Sequence, residues 1–128
     1  MNFHGKILLV DDEPHIRVFV TLLLKSLGQP DISEAGNGEE AVAAYKAHKP
    51  DIVLLDVNMP HLDGIETLRK LKEIDPDCVV IMLTSLATRE TVERALELGA
   101  VNYIRKDTPK EEIAKALAET IDASCKVD

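Results

Sequence analysis

The chain is 128 residues long, 45% apolar, and carries a formal net charge of −8 from 15 basic and 23 acidic side chains. Such a length predicts a single domain over 1–128, with a core that needs no disulfide or metal staple. The acidic balance argues against direct binding of nucleic acid or anionic lipid, which rests on clustered Lys and Arg, and the longest apolar run, Cys78 to Leu83, is too short to cross a bilayer. Strand-length apolar runs alternate with stretches of helical periodicity, five of each. The first run, Lys6 to Val10, precedes a stripe of Ile16, Phe19, Val20, Leu23 and Leu27, closed by Gly28 where a left-handed residue is expected. After the second run, Asp31 to Ala35, Asn37 stands three residues before Glu40 as a helix start, and Ala41, Ala44, Tyr45 and His48 form a weaker stripe. The third run, Asp51 to Leu55, leads to a helix capped by Asp63 with Glu66, its stripe being Ile65, Leu68 and Leu71. Cys78 to Leu83 is followed by Val92, Ala95 and Leu96, with Gly99 as the stop. Val101 to Ile104 leads to Thr108, Pro109 and Glu111, a capping box with proline at the first helical position, and then to Ile113, Leu117 and Ile121. Nearly continuous Ile, Leu and Val in the first, third and fourth runs predicts strands covered on both faces, and the more polar second and fifth suit sheet edges. Alternation with right-handed crossovers gives a doubly wound α/β sandwich with a parallel sheet.

Ligands on such sheets bind beyond the carboxyl ends of the strands. There the first run ends in Asp11, Asp12 and Glu13, the third in Asp56, the fourth in Thr84 and Ser85, and the fifth is followed by Lys106. Converging carboxylates repel one another unless a cation neutralises them. Mg²⁺, which takes one or two carboxylates together with phosphate oxygens and water, suits this set better than a Ca²⁺ cage. A cation, a lysine and a hydroxyl around a central carboxylate are what phosphoryl transfer to aspartate requires, and Asp56 is the expected acceptor. Acidic residues at a loop edge are otherwise ordinarily solvated, and Tyr103 taken alone reads as half-buried packing. His4, His15, His48 and His61 are scattered without metal-ligand spacing and read as surface or packing residues. With only Cys78 and Cys125 and no signal-type segment at the start, the expected setting is reducing and cytoplasmic.

Leu9-Val10-Asp11-Asp12-Glu13, Leu54-Leu55-Asp56-Val57-Asn58-Met59-Pro60 with Asp63-Gly64, Thr84-Ser85, Tyr103 and Lys106 together resemble the receiver domain of bacterial two-component response regulators. The resemblance spans nearly the whole chain and implies the flavodoxin-like strand order 2-1-3-4-5 that chemotaxis receivers show. It implies that Asp12 and Asp56 ligate Mg²⁺ directly, Asp11 directly or through water, and the backbone carbonyl of Asn58 completes the protein's share. Asp56 would accept a phosphoryl group from a sensor histidine kinase or histidine phosphotransfer protein, with Lys106 and Thr84 holding the phosphate. Thr84 would move towards it and Tyr103 would turn inward. The face of the fourth helix, fifth strand and fifth helix would change for a downstream protein effector, without direct contact to nucleic acid or membrane.

Asp107 follows Lys106 where receivers usually carry a cis proline. A cis bond before a non-proline residue costs about 2.5 to 4 kcal/mol, so this bond is expected to be trans or the loop strained. Ser85 replaces the commoner alanine, and Leu86, apolar where many members are polar, implies a relatively long-lived phosphoryl group. The resulting function is a phosphorylation-activated switch, not an enzyme beyond autocatalytic phosphoryl acceptance and self-dephosphorylation. The alternative is a degenerate receiver acting as a phosphorylation-independent binding module. An aspartyl-phosphate phosphatase would need a general acid where Asn58 stands, and flavin binding is excluded by the acidic loop after the first run.

Overall fold

A computed structural model describes residues 5–28, 30–59, 62–85 and 87–124. The elements in order are β1 (Lys6–Val10), α1 (Pro14–Lys25), β2 (Asp31–Ala35), α2 (Gly38–His48) and β3 (Ile52–Leu55). α3 (Gly64–Ile74), β4 (Val80–Thr84), α4 (Arg89–Glu97), β5 (Asn102–Arg105) and α5 (Lys110–Ser124) complete the chain. The five strands form one parallel sheet in the order β2-β1-β3-β4-β5, as the resemblance implied.

Because successive strand residues point to opposite faces, the central strands feed two cores. Leu8, Val10, Val53, Leu55, Val80 and Met82 meet Ala41 and Tyr45 of α2, Leu68 and Leu71 of α3 and Ala95 of α4. Ile7, Leu9, Ile52, Leu54, Ile81 and Leu83 meet Val20 and Leu24 of α1 and Ile113, Leu117 and Ile121 of α5. Each full burial of a Leu or Ile contributes about 1.5–3 kcal/mol, so two apolar layers clamp the strands whose ends carry the site. β2 and β5 are the part-exposed edges, as their polar composition predicts.

Several boundaries differ from the sequence expectation. Asp51 lies outside β3, exposed, where its carboxylate accepts the Lys6 N–H at 2.8 Å. Cys78 belongs to the turn before β4, its N–H bonded to the Asp75 carbonyl at 3.0 Å, and Val101, 45% exposed, precedes β5. In α1 the buried residues are Val20 and Leu24, whereas Phe19 is 38% exposed: the inward stripe runs through Val20 and Leu24, and Phe19 lies more than a quarter of a turn to its side. Leu96 is likewise exposed beside buried Ala95 on α4, and His48 is exposed at the end of α2.

Helix ends follow the same pattern of agreement and difference. Asn37 and Asp63 cap α2 and α3, accepting the N–H groups of Glu40 and Glu66 at 2.9 Å each. Thr88 caps α4 through Thr91, a start with no counterpart among the sequence expectations. Gly99 is left-handed at φ 103, as expected, but the other described left-handed residue is Lys49 at φ 48, not Gly28. α1 closes instead on right-handed Ser26, whose N–H reaches the carbonyls of Leu22 and Leu23, so no left-handed residue is needed. At α5 the Pro109 carbonyl accepts from Glu112 and Ile113, which puts Pro109 itself in the cap position, with Thr108 one residue outside it.

Candidate functional site

The sheet's own hydrogen bonds continue one step past the strands and hold the site backbone. Asp11 N–H donates to the Ala35 carbonyl at 3.1 Å, Asp56 N–H to Val10 at 3.0 Å, and Lys106 N–H to Thr84 at 2.9 Å. In the adjacent register Val10 stands opposite Leu55 and Thr84 opposite Arg105. Asp11, Asp56, Thr84 and Lys106 are therefore brought side by side along one sheet edge, as their order in the sequence predicted.

Asp11 and Asp56 are each 2% exposed and Thr84 is fully buried, so the polar centre lies at the bottom of the edge. The Lys106 ammonium stands 2.5 Å from Asp11 Oδ2, 3.1 Å from Asp56 Oδ2 and 3.6 Å from Glu13 Oε1. Burial works to lower the Lys106 value, but the hydrogen bond to Asp11 and the charges of Asp56 and Asp11 outweigh it and hold the ammonium above its ordinary range. Burial pushes Asp11 upward against the opposing pull of Lys106 and of the Glu13 N–H, which donates to Asp11 Oδ1 at 2.9 Å. The Asn58 N–H points at Asp56 Oδ1 from 3.3 Å, with the Asn58 side chain exposed.

Carboxylate oxygens of Asp11, Asp12, Glu13 and Asp56 lie within 4.8 Å of one another. The Lys106 ammonium pairs with three of these four acidic groups, Asp11, Glu13 and Asp56, while Asp12 and Glu13 are exposed. An all-oxygen donor set of this charge with open positions fits a hard divalent cation of the Mg²⁺ type. Glu13 joins the cluster although the resemblance assigned it no role; its place in the acidic run was the only signal.

Asp107 does not spoil the lysine's placement. Peptide bonds among the described residues are all trans, and Asp107 forms a two-point ion pair with Arg105, at 3.0 and 2.7 Å, on either side of Lys106. Tyr103 is half-buried on β5 opposite Met82 and packs against the core of α2, α3 and α4. Burial, and after it the charge of Asp56, push its phenol above the usual range, so the phenol lies within electrostatic reach of the Asp56 carboxylate. Ser85 is exposed just past β4. His15 is exposed with its Nε2 3.5 Å from Glu13 Oε2 at the margin of the cluster, His48 is exposed at the end of α2, and Cys78 is a buried free thiol. Leu86, with its expected effect on phosphoryl lifetime, lies outside the described residues, as do His4, Pro60, His61 and Cys125.

Two further residues shape the site, Gly64, which the resemblance included without a role, and Arg17, which it did not include. Gly64, the first residue of α3, donates its N–H to the Val57 carbonyl at 2.9 Å, and a Cβ there would stand 2.5 Å from Val57 Cα and 2.7 Å from the Asp56 carbonyl carbon. Only glycine lets the helix start that close to the Asp56 backbone. Arg17 of α1 donates to the Asp11 carbonyl at 2.6 Å, a contact no local spacing motif announces.

A family model described as the response regulator receiver domain matches residues 7–118. The chain belongs to that receiver family. It is 34% identical over 116 residues to the chemotaxis protein CheY of Bacillus subtilis, covering 91% of this chain and 97% of that protein. Against CheY of Halobacterium salinarum the identity is 37% over 119 residues, covering 92% and 98%. Among solved structures, a chain of the CheX-CheY-BeF3-Mg²⁺ complex from Borrelia burgdorferi superposes with a TM-score of 0.85 at 34% identity, covering 91% of this chain and 88% of that one. Membership of the CheY-like receivers supports a phosphorylation-dependent signalling switch. No described helix is long and apolar enough to cross a membrane.

Proposed function

We propose that this receiver accepts a phosphoryl group on Asp56 from a phosphohistidine of a sensor kinase or phosphotransfer protein. The change then passes through the face of α4, β5 and α5 to a protein effector. The observation that carries the reading is the Asp56 carboxylate, 2% exposed, with the Lys106 ammonium at 3.1 Å and buried Thr84 on the neighbouring strand end. In the transfer an Asp56 oxygen bonds to phosphorus as the phosphorus–nitrogen bond of the donor breaks, its electron pair returning to the imidazole. Lys106 balances charge on the phosphoryl oxygens, and the Thr84 hydroxyl donates to one of them. Asp11, Asp12, Asp56 and the Asn58 carbonyl would hold Mg²⁺, with Glu13 close by. Bound there, the cation supplies neutralisation of the charge shared by carboxylates and phosphate.

The chain turns over no separate substrate: its chemistry is autocatalytic acceptance and later self-dephosphorylation. Thr84 and Tyr103 form the switch, since Thr84 is buried beside the acceptor and Tyr103 is half-buried on the next strand within reach of the Asp56 charge. Beryllofluoride added to the protein in Mg²⁺ tests this. Amide NMR shifts centred on Asp56, Thr84 and Lys106 and reaching Tyr103 and α5, absent in Asp56→Asn, are the expected result. Mg²⁺ shifts without any response to beryllofluoride would overturn the phosphoacceptor reading and favour a binding module.

A further inference from the structure

We propose that Arg17 is a positioning residue for the cation end of the site, setting the direction of Asp12 by holding the carbonyl of Asp11. The inference rests on reading the acidic cluster as an Mg²⁺ site. Arg17 lies in the first turns of α1, and helical side chains lean towards the helix N-terminus, which carries its guanidinium back over the loop that follows β1. There Nη1 donates to the Asp11 carbonyl at 2.6 Å while Nε donates to Glu34 Oε1 on β2 at 3.0 Å. Asp11 is thereby fixed at both ends of its backbone, because its N–H is already bonded to Ala35 on the same strand β2.

The Asp11 carbonyl and the Asp12 N–H belong to one rigid peptide plane. Fixing that carbonyl fixes the plane from which the Asp12 side chain departs. Asp12 is exposed, and among the described residues no hydrogen bond or ion pair restrains its own carboxylate, so the backbone is the available means of aiming it. Beside it, an open polar cleft of about 390 Å³ is lined by Asp12, Arg17, Glu34, Gly36 and Glu40, so Arg17 and Asp12 border the same space. The Arg17 side chain is 22% exposed and Glu34 51%, so their ion pair adds little stability by itself. Its geometric effect is to hold the planar fork so that a second nitrogen faces the carbonyl. A lysine, a compact ammonium whose three donors share one nitrogen, lacks the rigid fork that spans both partners in this way.

Charge and position predict opposite signs, which makes the role testable. A guanidinium beside an acidic cluster repels an incoming cation, so its removal by charge alone would tighten Mg²⁺ binding. A positioning role predicts the reverse. Mg²⁺ is titrated into the parent, Arg17→Met and Arg17→Lys, following amide NMR shifts, with urea unfolding to establish that each variant is folded. About tenfold weaker Mg²⁺ binding in Arg17→Met, the usual size of such an outer-shell effect, is expected, with Arg17→Lys weakened too despite its retained charge. The metal-free spectra should differ most at the Asp12 amide, a signature that general destabilisation would not confine to that loop. Unchanged or tighter binding in Arg17→Met, or full affinity in Arg17→Lys, would overturn the positioning role while leaving the Mg²⁺ site intact. Absence of Mg²⁺ binding in the parent would instead overturn the metal-site reading and this inference with it.

Discussion

Gly64→Ala is the substitution on which the architecture of this site makes its sharpest demand. The new Cβ would stand 2.5 Å from Val57 Cα and 2.7 Å from the Asp56 carbonyl carbon, with the Asp56 carbonyl oxygen closer still. Opening such a contact to about 3.4 Å needs a shift of about 1 Å, and every atom in the way is backbone. The β3 side cannot yield easily because Asp56 N–H is tied to Val10 at 3.0 Å, and the helix side is tied by Gly64 N–H to Val57 at 2.9 Å. Overpacking of this kind costs about 3 kcal/mol, offset by up to about 1 kcal/mol from alanine's better helix propensity. A net loss of about 2 kcal/mol is expected, which for a chain of this length lowers the melting temperature by about 8 °C. Since the displaced atoms belong to the proposed acceptor residue, phosphorylation by a small acyl phosphate should slow at least tenfold, as misplacements of about 1 Å do at reacting centres. Urea unfolding followed by circular dichroism gives the first quantity and intact-mass kinetics the second. Gly36→Ala is the control, because its Cβ would meet only the Arg17 and Glu40 side chains at an ordinary 3.7 Å. A Gly64→Ala protein as stable as Gly36→Ala and phosphorylated at the parental rate would refute the close-approach argument.

Removing the ammonium in Lys106→Met leaves buried Asp11 and Asp56 facing each other, at a cost of about 3 kcal/mol in metal-free buffer at neutral pH. The deficit should shrink in Mg²⁺, and an equal loss in EDTA and in Mg²⁺ would contradict the cation reading. The folded-state value of Lys106 lies above its unfolded value, so its contribution is complete below about pH 10 and fades as pH rises through the folded value. The alkaline decline in stability should accordingly be shallower in Lys106→Met than in the parent, and parallel curves would count against it. Tyr45→Phe removes the 2.8 Å bond from the Tyr45 hydroxyl to Asp75 Oδ2 that joins α2 to the end of α3, with an expected loss of about 1 kcal/mol by urea unfolding and no change in phosphorylation rate. A slowed rate would show coupling between that far network and the site.

The elements that could be read from the sequence are those whose signal is local. Continuous apolarity in Lys6 to Val10 and in Ile52 to Leu55 carries both core faces at once, and Asn37 and Asp63 announce their helices through a glutamate three residues on. The site was legible for the same reason: Asp11, Asp56 and Thr84 each occupy the end of an apolar run, and strand ends on one sheet must meet. Phe19 was misplaced because the apolar residues of α1 surround much of its circumference, leaving several stripes of similar merit, and only packing against α5 selects among them. Gly64 and Arg17 depend on contacts with Val57 and Asp11, which periodicity does not encode. Lys106 shows the reverse situation, in which a local departure from pattern at Asp107 leaves its three-carboxylate contact in place.

Every chemical group of the site hangs from one rim of the sheet, and the chain re-enters its strands at the other. The returns at Pro50 and Asp51, at Asp75 to Val79 and at Gly99 to Val101 lie a full strand away, about 15 Å for strands of this length. Pro76 and Asp77 are exposed at the tip of the second of these returns. A loop extension, an affinity tag or even a small inserted module at that tip would cross no ladder bond of the central strands and would stand clear of the rim where phosphorylation is expected. The two rims are therefore subject to different rules: one residue gained or lost at the first would turn an acceptor or a lysine to the wrong face, while the second can lengthen and diversify with the chemistry unaltered.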